Sequence, residues 1–532
     1  MVVPYNTLLS KSARDAVGLS LKNSLVIVDE AHNIPEALRS LSSSQLTLTI
    51  IERASAQLTE YVGKYLDRLA GRNLDYLGKI RKFLMQAAKH LKLTRRKDGS
   101  KRIMITATEL LFTLKLDNLN LYSIISYLEK SRLSQKLHGF NSALQRAKAQ
   151  GIDAQVDDPE FVSKHISAMS IVETFMKCLT STQKEGRVII DSRTSNEVPC
   201  FRYLLLDPSS EFKNVLNEAH AVVLAGGTLR PFSHVATELF GSNQKFVKQA
   251  KTADNTSKSE GGRTSSGTMS TSLSTFSCGH VVPSNNVFMT SLPKGPNGVS
   301  LDFRHSSRFQ DKICTELGES ILKLTNVIPN GMVVFFPSYS YEAFVVKSWK
   351  ASGVYDKIKV QKKLFREPQS AREVETILAS YSKQASSDTG AILFCVVGGK
   401  MSEGINFANE MARCIFIVGI PYPDITDPEL KEKMRLLDKE QRENPETSSG
   451  ISGRDYYHNL CMRAVNQSVG RAIRHAKDFA AIILADARYA TDPRVWRGLP
   501  DWLRSDTKQC SRPFHESVRD VEKFFRDTVV SS

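Results

Sequence analysis

The sequence predicts an α/β protein with two parallel-sheet domains and an all-helical insertion in the first of them. Short apolar runs lie on both sides of residues 46–186, and they end in polar residues or glycine, as buried parallel strands do. Residues 46–186 instead carry apolar side chains at helical spacing. Residues 251–277 are rich in Ser, Thr, Gly and Lys, a composition typical of a flexible linker between two α/β blocks.

Length and charge narrow the class of protein. A chain of 532 residues is too long for a single ordinary core, so three or four domains are expected. The 72 Lys and Arg residues exceed the 56 Asp and Glu residues, which leaves a net charge of +16. This excess favours a polyanionic partner, most commonly nucleic acid, although many basic proteins bind none.

The sequence shows no sign of secretion or of a membrane span. Its apolar runs are all shorter than the ~18 residues that cross a bilayer, and no charged start leads into an apolar signal core. Its eight cysteines include no C-x-x-C pair, which is typical of a reducing compartment. We expect the cytoplasm or the nucleus, and the charge favours the nucleus.

The strongest catalytic candidate follows the first predicted strand. Residues 25–28 are apolar and mostly β-branched, and Asp29, Glu30 and His32 come next. Open α/β sheets place their chemistry at the carboxyl ends of strands, and in P-loop NTPases an Asp at this place helps to hold Mg²⁺. A neighbouring Glu can accept the proton of the attacking water. The alternative is a strand that runs into a solvated acidic turn.

Residues 1–45 hold this one strand, so its sheet needs strands from elsewhere in the chain. In the insertion, helical spacing predicts helices around residues 58–69, 76–84 and 119–137. Residues 91–102 form a basic loop, either a solvated turn or a phosphate contact.

Strand patterns return after the insertion, at residues 187–190, 201–206 and 221–224. We assign residues 187–250 to the remainder of the first sheet domain. The last of these strands runs into Gly226 and Thr228. Glycines at a strand end allow the backbone to approach a ligand or a neighbouring domain, and a tight turn is the equal alternative.

A second α/β block occupies residues 278–532. Its apolar runs predict buried strands at residues 331–336, 391–397, 414–418 and 480–484. Helical stretches separate these strands, so we expect a parallel sheet with right-handed crossovers.

Residues 467–475 carry the second strong signal. Arg471 and Arg474 are three residues apart, so on a helix both would project from one face. Two guanidiniums on one face suit the charge of a γ-phosphoryl group in transfer. The alternative is a basic surface helix paired with carboxylates.

Two other patterns are weaker than they look. Residues 398–404 are not a P-loop, because Phe394 replaces the first Gly and Met401 follows the Lys; no other stretch fits either. Cys278 and His280 lack a second pair at ligand spacing, which disfavours a metal site. Three cysteines in apolar surroundings are expected in the core: Cys395, Cys414 and Cys461.

Together these residues resemble the XPD-like DEAH-box DNA helicases of superfamily two. Five motifs carry the resemblance in the family's order: VDEAHN at 28–33 (motif II), AGGTL at 225–229 (III), FFPSY at 335–339 (IV), GGKMSEGINF at 398–407 (V) and QSVGRAIR at 467–474 (VI). FSCGHVVP at 276–283 and HAKDF at 475–479 are closest to the ChlR branch, the sister-chromatid-cohesion helicases.

The resemblance implies two RecA-like motor domains, the first of them incomplete here and interrupted by an Arch insertion. The expected order is motor domain 1 with motif II (1–45), the all-helical Arch-like insertion (46–186), the remainder of motor domain 1 with motif III (187–250), the linker (251–277) and motor domain 2 (278–532). It also implies ATP-driven 5′-to-3′ unwinding of DNA in chromosome cohesion, replication and repair.

The family's roles carry over to matching residues of this chain. Asp29 would coordinate Mg²⁺ through water, and Glu30 would activate the attacking water. The other residues assigned to catalysis are His32, Gln467, Arg471 and Arg474. Those assigned to ATP coupling are Gly226, Thr228, Glu403 and Gly404. Those assigned to DNA binding are Ser338, Tyr339, Lys400 and Ser402.

The chain departs from the family upstream of motif II, where the P-loop and the four cysteines of a [4Fe–4S] cluster belong. We expect an N-terminally truncated helicase, with no iron–sulfur ligand among its own cysteines. The alternative is a non-catalytic fragment that binds nucleic acid or a helicase partner. The expected cofactors are ATP and Mg²⁺. The expected partners are single-stranded and forked DNA and cohesion or replication-fork proteins in the nucleus, with no membrane.

Overall fold

The computed structural model describes residues 1–97, 102–139, 167–180, 185–191, 198–241, 246, 248–249, 273–279, 282–401, 405, 407, 409–443, 451–504 and 512–531. The chain divides into two units. The first contains Met1–Ala225, Val235–Val247 and Thr426–Ser449, and the second contains Gly226–His234, Lys248–Ile425 and Gly450–Ser532. Most of the expected linker at 251–277 lies outside the described residues.

The strands are, in chain order, β1 (Leu25–Val28), β2 (Ser44–Thr47), β3 (Arg102–Thr106), β4 (Gly186–Asp191), β5 (Cys200–Leu205), β6 (Ala221–Leu224), β7 (Val287–Ser291), β8 (Gly331–Phe336), β9 (Lys363–Arg366), β10 (Ala391–Val396), β11 (Cys414–Val418) and β12 (Ala480–Ala485).

The α-helices used below are, in chain order, α1 (Tyr5–Leu9), α2 (Lys11–Ala16), α3 (Ile34–Leu41), α4 (Leu48–Tyr65), α5 (Gly71–Lys97), α6 (Ala107–Thr113), α7 (Leu121–Ser131), α8 (Ala168–Leu179), α9 (Ser209–Glu218), α10 (Phe232–Phe240), α11 (Asp311–Thr325), α12 (Tyr339–Ser352), α13 (Val354–Gln361), α14 (Val374–Ala385), α15 (Pro428–Glu443), α16 (Gly453–Val469), α17 (Ala487–Thr491), α18 (Pro493–Arg497), α19 (Asp501–Arg504) and α20 (Phe514–Ser531).

The first unit contains a pair of parallel strands, β1 and β6, aligned residue by residue from Leu25 with Ala221 to Val28 with Leu224. The sequence predicts that β1 needs a partner from a later part of the chain, and β6 is that partner. Val28 is buried on one face of β1, whereas Leu25 and Ile27 are 60% and 66% exposed on the other.

A separate antiparallel sheet in the first unit has the strand order β2-β5-β4-β3. It corrects the expectation of an all-helical insertion, because β3 lies inside residues 46–186. It also corrects the placement of the strands predicted at 187–190 and 201–206, which pair with each other and with β3 and β2 rather than with β1. An apolar run shows that a strand is buried but not which strand it pairs with, and the short β3 directly follows a basic stretch.

Four helices of the insertion share one core with this antiparallel sheet. The core includes Ile51 of α4, Phe83 of α5, Ile124 of α7 and Phe175 of α8, all fully buried, together with Phe201 of β5. The amphipathic pattern of each helix therefore points its apolar side into this shared core.

The helices predicted in the insertion are present, with changed ends. The patterns at 58–69 and 76–84 lie largely in α4 and α5. The pattern at 119–137 is interrupted after α7 by Arg132, whose left-handed φ of 50° ends the helix. The basic loop expected at 91–102 is helical as far as Lys97, and Arg102 already belongs to β3.

Helix α15 belongs to the first unit, although its sequence falls within the expected second motor domain. Arg187 Nε of β4 lies 3.0 Å from Glu432 Oε1, and Lys433 Nζ donates to the Leu206 carbonyl at 2.9 Å. Just before the helix, Asp427 pairs with Arg102 at 3.2 Å. The structure thus corrects the boundary expected at 278–532. Charged residues at helical spacing look like a solvated face, so the sequence does not reveal this packing.

The second unit is built on a six-stranded parallel sheet with the order β7-β12-β11-β8-β10-β9. All four predicted strands are present in its centre and are fully buried. The edge strands β7 and β9 were not predicted, because both are short and β9 begins and ends with basic residues. Apolar side chains fill the core on both faces of the sheet. The predicted α/β class is confirmed.

The described helices include none that is both long enough and apolar enough to cross a membrane.

Candidate nucleotide and nucleic-acid sites

Asp29 and Glu30 stand where β1 ends. The chain turns sharply there because Glu30 adopts a left-handed conformation, with φ of 46°. The Glu30 amide donates to Asp29 Oδ1 at 2.9 Å, and the Ala31 amide donates to the Ala225 carbonyl at 2.9 Å. Both acidic residues are exposed. The turn therefore leaves two adjacent carboxylates open to solvent at the carboxyl end of a strand.

Tyr5 of α1 and His32 pack around this turn. The Tyr5 hydroxyl donates to the Asp29 carbonyl and also lies 3.1 Å from the Glu30 carbonyl. Burial, together with the negative charge of Asp29 and Glu30, raises the pKa of Tyr5, so the hydroxyl keeps its proton for this hydrogen bond. His32 Nδ1 lies 3.2 Å from Glu30 Oε2, with the histidine side chain mostly buried.

Asp29 fits a magnesium ion that is held through water. Mg²⁺ retains several waters and binds proteins through one or two carboxylates. Asp29 is exposed, and the hydrogen bond from the Glu30 amide engages one of its two oxygens. Within the described residues, His, Cys, Asp and Glu side chains form no group of three that could hold a metal ion directly. This site therefore offers a single carboxylate to a hydrated ion, rather than direct coordination by several of the described side chains.

Gly226 and Thr228, the residues predicted to couple ATP hydrolysis, follow β6. Both belong to the second unit, whereas Ala225, which contacts the Asp29 turn, belongs to the first. Gly226 is exposed and Thr228 is half-buried in a turn. The division between the two units thus falls inside motif III.

Gln467, Arg471 and Arg474 lie near the end of α16, but the arginines are not on the helix, which corrects the expectation of a shared helical face. The helix ends at Val469, and the chain continues in tight turns in which the Arg471 amide donates to the Ser468 carbonyl at 3.3 Å. The buried residues Ala472 and Ile473 draw these turns into the core. Gly470 caps this end of the helix, and a glycine in this place was an available sequence signal.

The two arginines have different surroundings. Arg471 is half-buried, and its Nη1 donates to the Ile405 carbonyl of motif V at 3.1 Å. Arg474 is exposed, and its backbone amide donates to Asp478 Oδ2 at 3.3 Å. Arg474 therefore presents its guanidinium to solvent from a fixed backbone, while Arg471 links motif VI to motif V.

A buried ion pair supports the backbone of Arg474. Asp478 is 1% exposed and Arg413 is 7% exposed. Arg413 Nη1 donates to Asp478 Oδ1 at 3.0 Å and to the Phe479 carbonyl at 3.1 Å, and the guanidinium lies 3.8 Å from the centre of the Phe479 ring. One carboxylate therefore joins this buried charge to the turn that carries Arg474.

The structure brings three of the four predicted DNA-binding residues together at the carboxyl ends of β8 and β10. Ser338 caps α12 by accepting a hydrogen bond from the Tyr341 amide at 3.2 Å. The Lys400 amide donates to the Tyr339 hydroxyl at 3.4 Å, and Lys400 Nζ donates to the carbonyl of Gln369. Ser402, Glu403 and Gly404 lie outside the described residues.

The described cysteines do not suit an iron–sulfur cluster, which needs several neighbouring thiolates. Five of the seven are buried, and burial raises the thiol pKa of Cys178 and of Cys314 to about 11. Cys395, Cys414 and Cys461 are in the core, as the sequence predicts. Cys278 is exposed, and His280 lies outside the described residues.

Sequence reasoning missed three residues that organise these sites: Tyr5, Glu367 and Asp478. Tyr5 sits in a short helix far from motif II in sequence, and nothing in its own neighbourhood indicates its partner. Asp478 lies in the HAKDF stretch that the resemblance singled out, and an acidic residue so close to two arginines was an available signal. Glu367 follows the unpredicted edge strand β9.

Comparison with known proteins is consistent with this geometry. The chain matches the family described as Helicase C-terminal domain over residues 321–506 and the DEAD_2 family over residues 1–51. Motifs IV, V and VI fall within the first match and motif II falls within the second.

Relatives match almost the whole chain. The ATP-dependent DNA helicase DDX11 of Danio rerio is 35% identical, over 99% of this chain and 60% of the relative. The ATP-dependent DNA helicase chl1 of Aspergillus clavatus is 32% identical, over 99% of this chain and 69% of the relative. The chain thus spans about 60% of the length of the DDX11 relative.

The fold also has a solved counterpart. The structure of S. tokodaii Xpd4 covers 93% of this chain and 80% of its own, with a TM-score of 0.51 and 16% identity. This likeness concerns the fold alone, and the relatives carry the family assignment. The chain therefore belongs to the XPD-like family of DNA helicases, in the branch that contains DDX11 and chl1.

Proposed function

We propose that the chain is part of an ATP-dependent DNA helicase that unwinds DNA in the 5′-to-3′ direction. The observation that carries the proposal is the exposed pair Asp29 and Glu30 at the end of β1, in a chain whose relatives are named ATP-dependent DNA helicases. Arg471 and Arg474 add the positive charge that phosphoryl transfer requires. The P-loop partner of these residues is expected on a segment that family members carry upstream of motif II.

Each side chain has a task in this proposal. Asp29 would hold Mg²⁺ through a water ligand, and a bound ion would supply charge neutralisation at the phosphates. The Glu30 carboxylate accepts the proton of the attacking water, and His32 beside it limits the directions in which that carboxylate can swing. Arg474 offers its guanidinium to the γ-phosphate, where an arginine stabilises the charge of the transition state.

The DNA-facing part of the proposal rests on charge and position. Ser338, Tyr339 and Lys400 lie at the carboxyl edge of the six-stranded sheet, where α/β proteins bind ligands. A serine hydroxyl and a lysine ammonium group can donate to phosphate oxygens, and a tyrosine ring can stack on a base. The net charge of +16 favours the same polyanion. Single-stranded and forked DNA are the proposed substrates.

Replacement of the proposed base tests the catalytic assignment. The chain is joined to a P-loop-containing segment of an XPD-like helicase, and DNA-stimulated ATP hydrolysis is measured. Glu30→Gln is expected to lower kcat about 100-fold or more, the ordinary contribution of a general base. Glu36→Gln is the matched control, because Glu36 is also exposed and lies one helical turn beyond motif II. Equal rates in the Glu30→Gln variant and its parent would show that Glu30 is not the base.

A second candidate function is a non-catalytic module that binds DNA or a helicase partner through its basic surface. The net charge of +16 and the lack of a P-loop pattern among these 532 residues favour it. Affinity for single-stranded DNA that falls steeply with salt is expected for either function, since counterion release dominates such binding. ATP turnover by these 532 residues alone would contradict the second candidate.

The proposed setting is the nucleus, in chromosome cohesion, replication and repair, with cohesion or replication-fork proteins as partners. A fluorescent fusion of the chain is expected to concentrate in the nucleus. A uniformly cytoplasmic signal would contradict this part of the proposal. A [4Fe–4S] cluster is no part of it for these residues, because five of the seven described thiols are buried.

A further inference from the structure

Glu367 is a nearly buried carboxylate beside the residues proposed to bind DNA. It follows β9 directly, and its amide donates to the Phe394 carbonyl of β10 at 2.8 Å, which extends the sheet by one residue. The residue is only 9% exposed. A carboxylate in such a place is costly unless hydrogen bonds compensate for its lost hydration.

Three donors converge on this carboxylate. The Tyr339 hydroxyl donates to Oε1 at 2.6 Å, the Met401 amide donates to Oε1 at 3.0 Å, and the Val396 amide donates to Oε2 at 2.8 Å. Val396 directly precedes the 397–401 loop and Met401 ends it, and this loop contains the first four residues of motif V. One side chain thus fastens both ends of that loop and the tyrosine of motif IV.

The loop is also shaped to leave room for the carboxylate. A Cβ atom on Gly399 would lie 2.4 Å from Glu367 Oε1 and 2.8 Å from the Tyr339 hydroxyl. A side chain at this position would displace the carboxylate and the hydroxyl, so glycine permits the close approach. The loop backbone therefore wraps directly over the Glu367–Tyr339 pair.

The tyrosine acts as a relay between the carboxylate and the loop. Its hydroxyl donates to Glu367 and accepts from the Lys400 amide at 3.4 Å. Burial and the hydrogen bond to Glu367 raise the pKa of Tyr339 to about 12. The phenol therefore stays protonated at neutral pH and can make both hydrogen bonds at once.

We propose that Glu367 is a positioning residue that holds Tyr339 and the 397–401 loop in the arrangement that binds single-stranded DNA. Glu367 does not contact the DNA itself. The inference rests on the proposed DNA-binding function, and it adds that motifs IV and V act as one preformed surface because a single carboxylate fastens both.

The test measures affinity for a fluorescein-labelled (dT)20 oligonucleotide by anisotropy with the 532-residue chain. Glu367→Gln keeps the side-chain size but places an amide donor against other donors. We expect about a fivefold weaker Kd, which is the worth of one ordinary hydrogen bond. Tyr339→Phe removes the relaying hydroxyl and is expected to weaken the Kd by a similar factor. In the double variant, the Kd should weaken by less than the product of the two single factors, because the two residues act through one network.

Glu316→Gln is the matched control in the same unit. Glu316 is 3% exposed, accepts the Asn297 amide at 2.7 Å and packs against Gly295 as Glu367 packs against Gly399. It fastens a loop that contains none of the residues proposed to bind DNA. If buried carboxylates matter only for stability, both glutamine variants will lower the melting temperature, and both will bind DNA with the Kd of the parent chain.

Hydrogen exchange at the Val396 and Met401 amides gives a second readout that needs no DNA. Faster exchange at both amides in Glu367→Gln, with a weaker Kd that Glu316→Gln does not share, supports the proposal. An unchanged Kd in Glu367→Gln overturns it, as does unchanged exchange at the two amides. If the parent chain binds no single-stranded DNA, the proposed function fails, and the exchange rates alone then decide whether Glu367 fastens the loop.

Discussion

The two sets of residues proposed to contact nucleotide are held in place in different ways. In the first unit, Asp29 and Glu30 follow a strand with one exposed face, and the Tyr5 hydroxyl and backbone hydrogen bonds fix their turn. In the second unit, Arg474 follows a helix packed on a sheet whose four central strands are fully buried, and a buried ion pair fixes its turn.

This difference shows two solutions to the same problem. A turn that is held by backbone hydrogen bonds positions a carboxylate at little cost in free energy, because no charge has to leave water. A turn tied to a buried carboxylate positions an arginine more firmly, but the site then depends on a charge that has to stay paired. The second unit should accordingly be the more sensitive to single substitutions.

The largest effect is expected from Asp478→Ala, which removes the buried carboxylate of Arg413 and leaves only the exposed Glu410, 3.5 Å from its Nη2, as an acidic partner. Removal of one partner of a buried pair costs about 3–5 kcal/mol of unfolding free energy. The three tryptophans of the chain, Trp349, Trp496 and Trp502, all belong to the second unit, so their fluorescence in a urea titration reports that unit.

The control for this prediction is Glu522→Ala in the same unit. Glu522 pairs with Arg526 at 2.8 Å, with both side chains exposed, and such pairs contribute about 1 kcal/mol or less. Similar losses in Asp478→Ala and Glu522→Ala would show that the buried pair is not what holds the Arg474 turn.

The same substitution in two strands compares the sheets directly. Ile415 in β11 is fully buried, whereas Ile27 in β1 is 66% exposed. Ile415→Ala should cost about 2–5 kcal/mol because it opens a cavity in a packed core. Ile27→Ala should change the unfolding free energy by about 0.5 kcal/mol or less, as exposed substitutions do.

Thermal unfolding followed by far-UV circular dichroism, with tryptophan fluorescence for the second unit, measures both variants. A loss at Ile27 as large as that at Ile415 would mean that the exposed face of β1 is covered in solution. Strands β1 and β11 would then both be covered on both faces, and the two sheets would not differ in burial.

The contrast between buried and exposed strands also explains what the sequence can predict. Strands β8, β10, β11 and β12 are buried on both faces and read as continuous apolar runs, so they were predicted. Strands β3 and β9 are short and half-exposed, with basic residues at or beside them, so no periodicity could reveal them.

The sequence also does not reveal which residues that are distant in the chain contact one another. Lys433 and Glu432 look like the solvated face of a charged helix. Lys433 nevertheless contacts the Leu206 carbonyl just after β5, and Glu432 contacts Arg187 of β4. The Glu367 carboxylate lies between motifs IV and V in the chain, and only the pairing of β9 with β10 brings it to both. Motif chemistry was visible in the sequence, whereas the residues that position the motifs were not.

The smallest effect concerns two histidines, one in each unit. Burial lowers the pKa of His90 in α5, and burial is also the main cause of the lowered pKa of His458 in α16. A folded-state pKa below the unfolded value of about 6.5 means that the unfolded chain takes up the proton first as the pH falls. The stability of each unit is therefore complete above pH ~6.5 and is lost progressively below it.

Replacement of each histidine separates the two contributions. His458→Gln should flatten the loss of stability between pH 7 and 5 reported by tryptophan fluorescence, and His90→Gln should flatten it only in the circular dichroism signal. His515→Gln, at an exposed position of α20, is the control and should leave both profiles as they are. If His90→Gln altered the fluorescence profile as much as His458→Gln, the two units would not respond to acid independently, and each buried histidine would report on the whole chain.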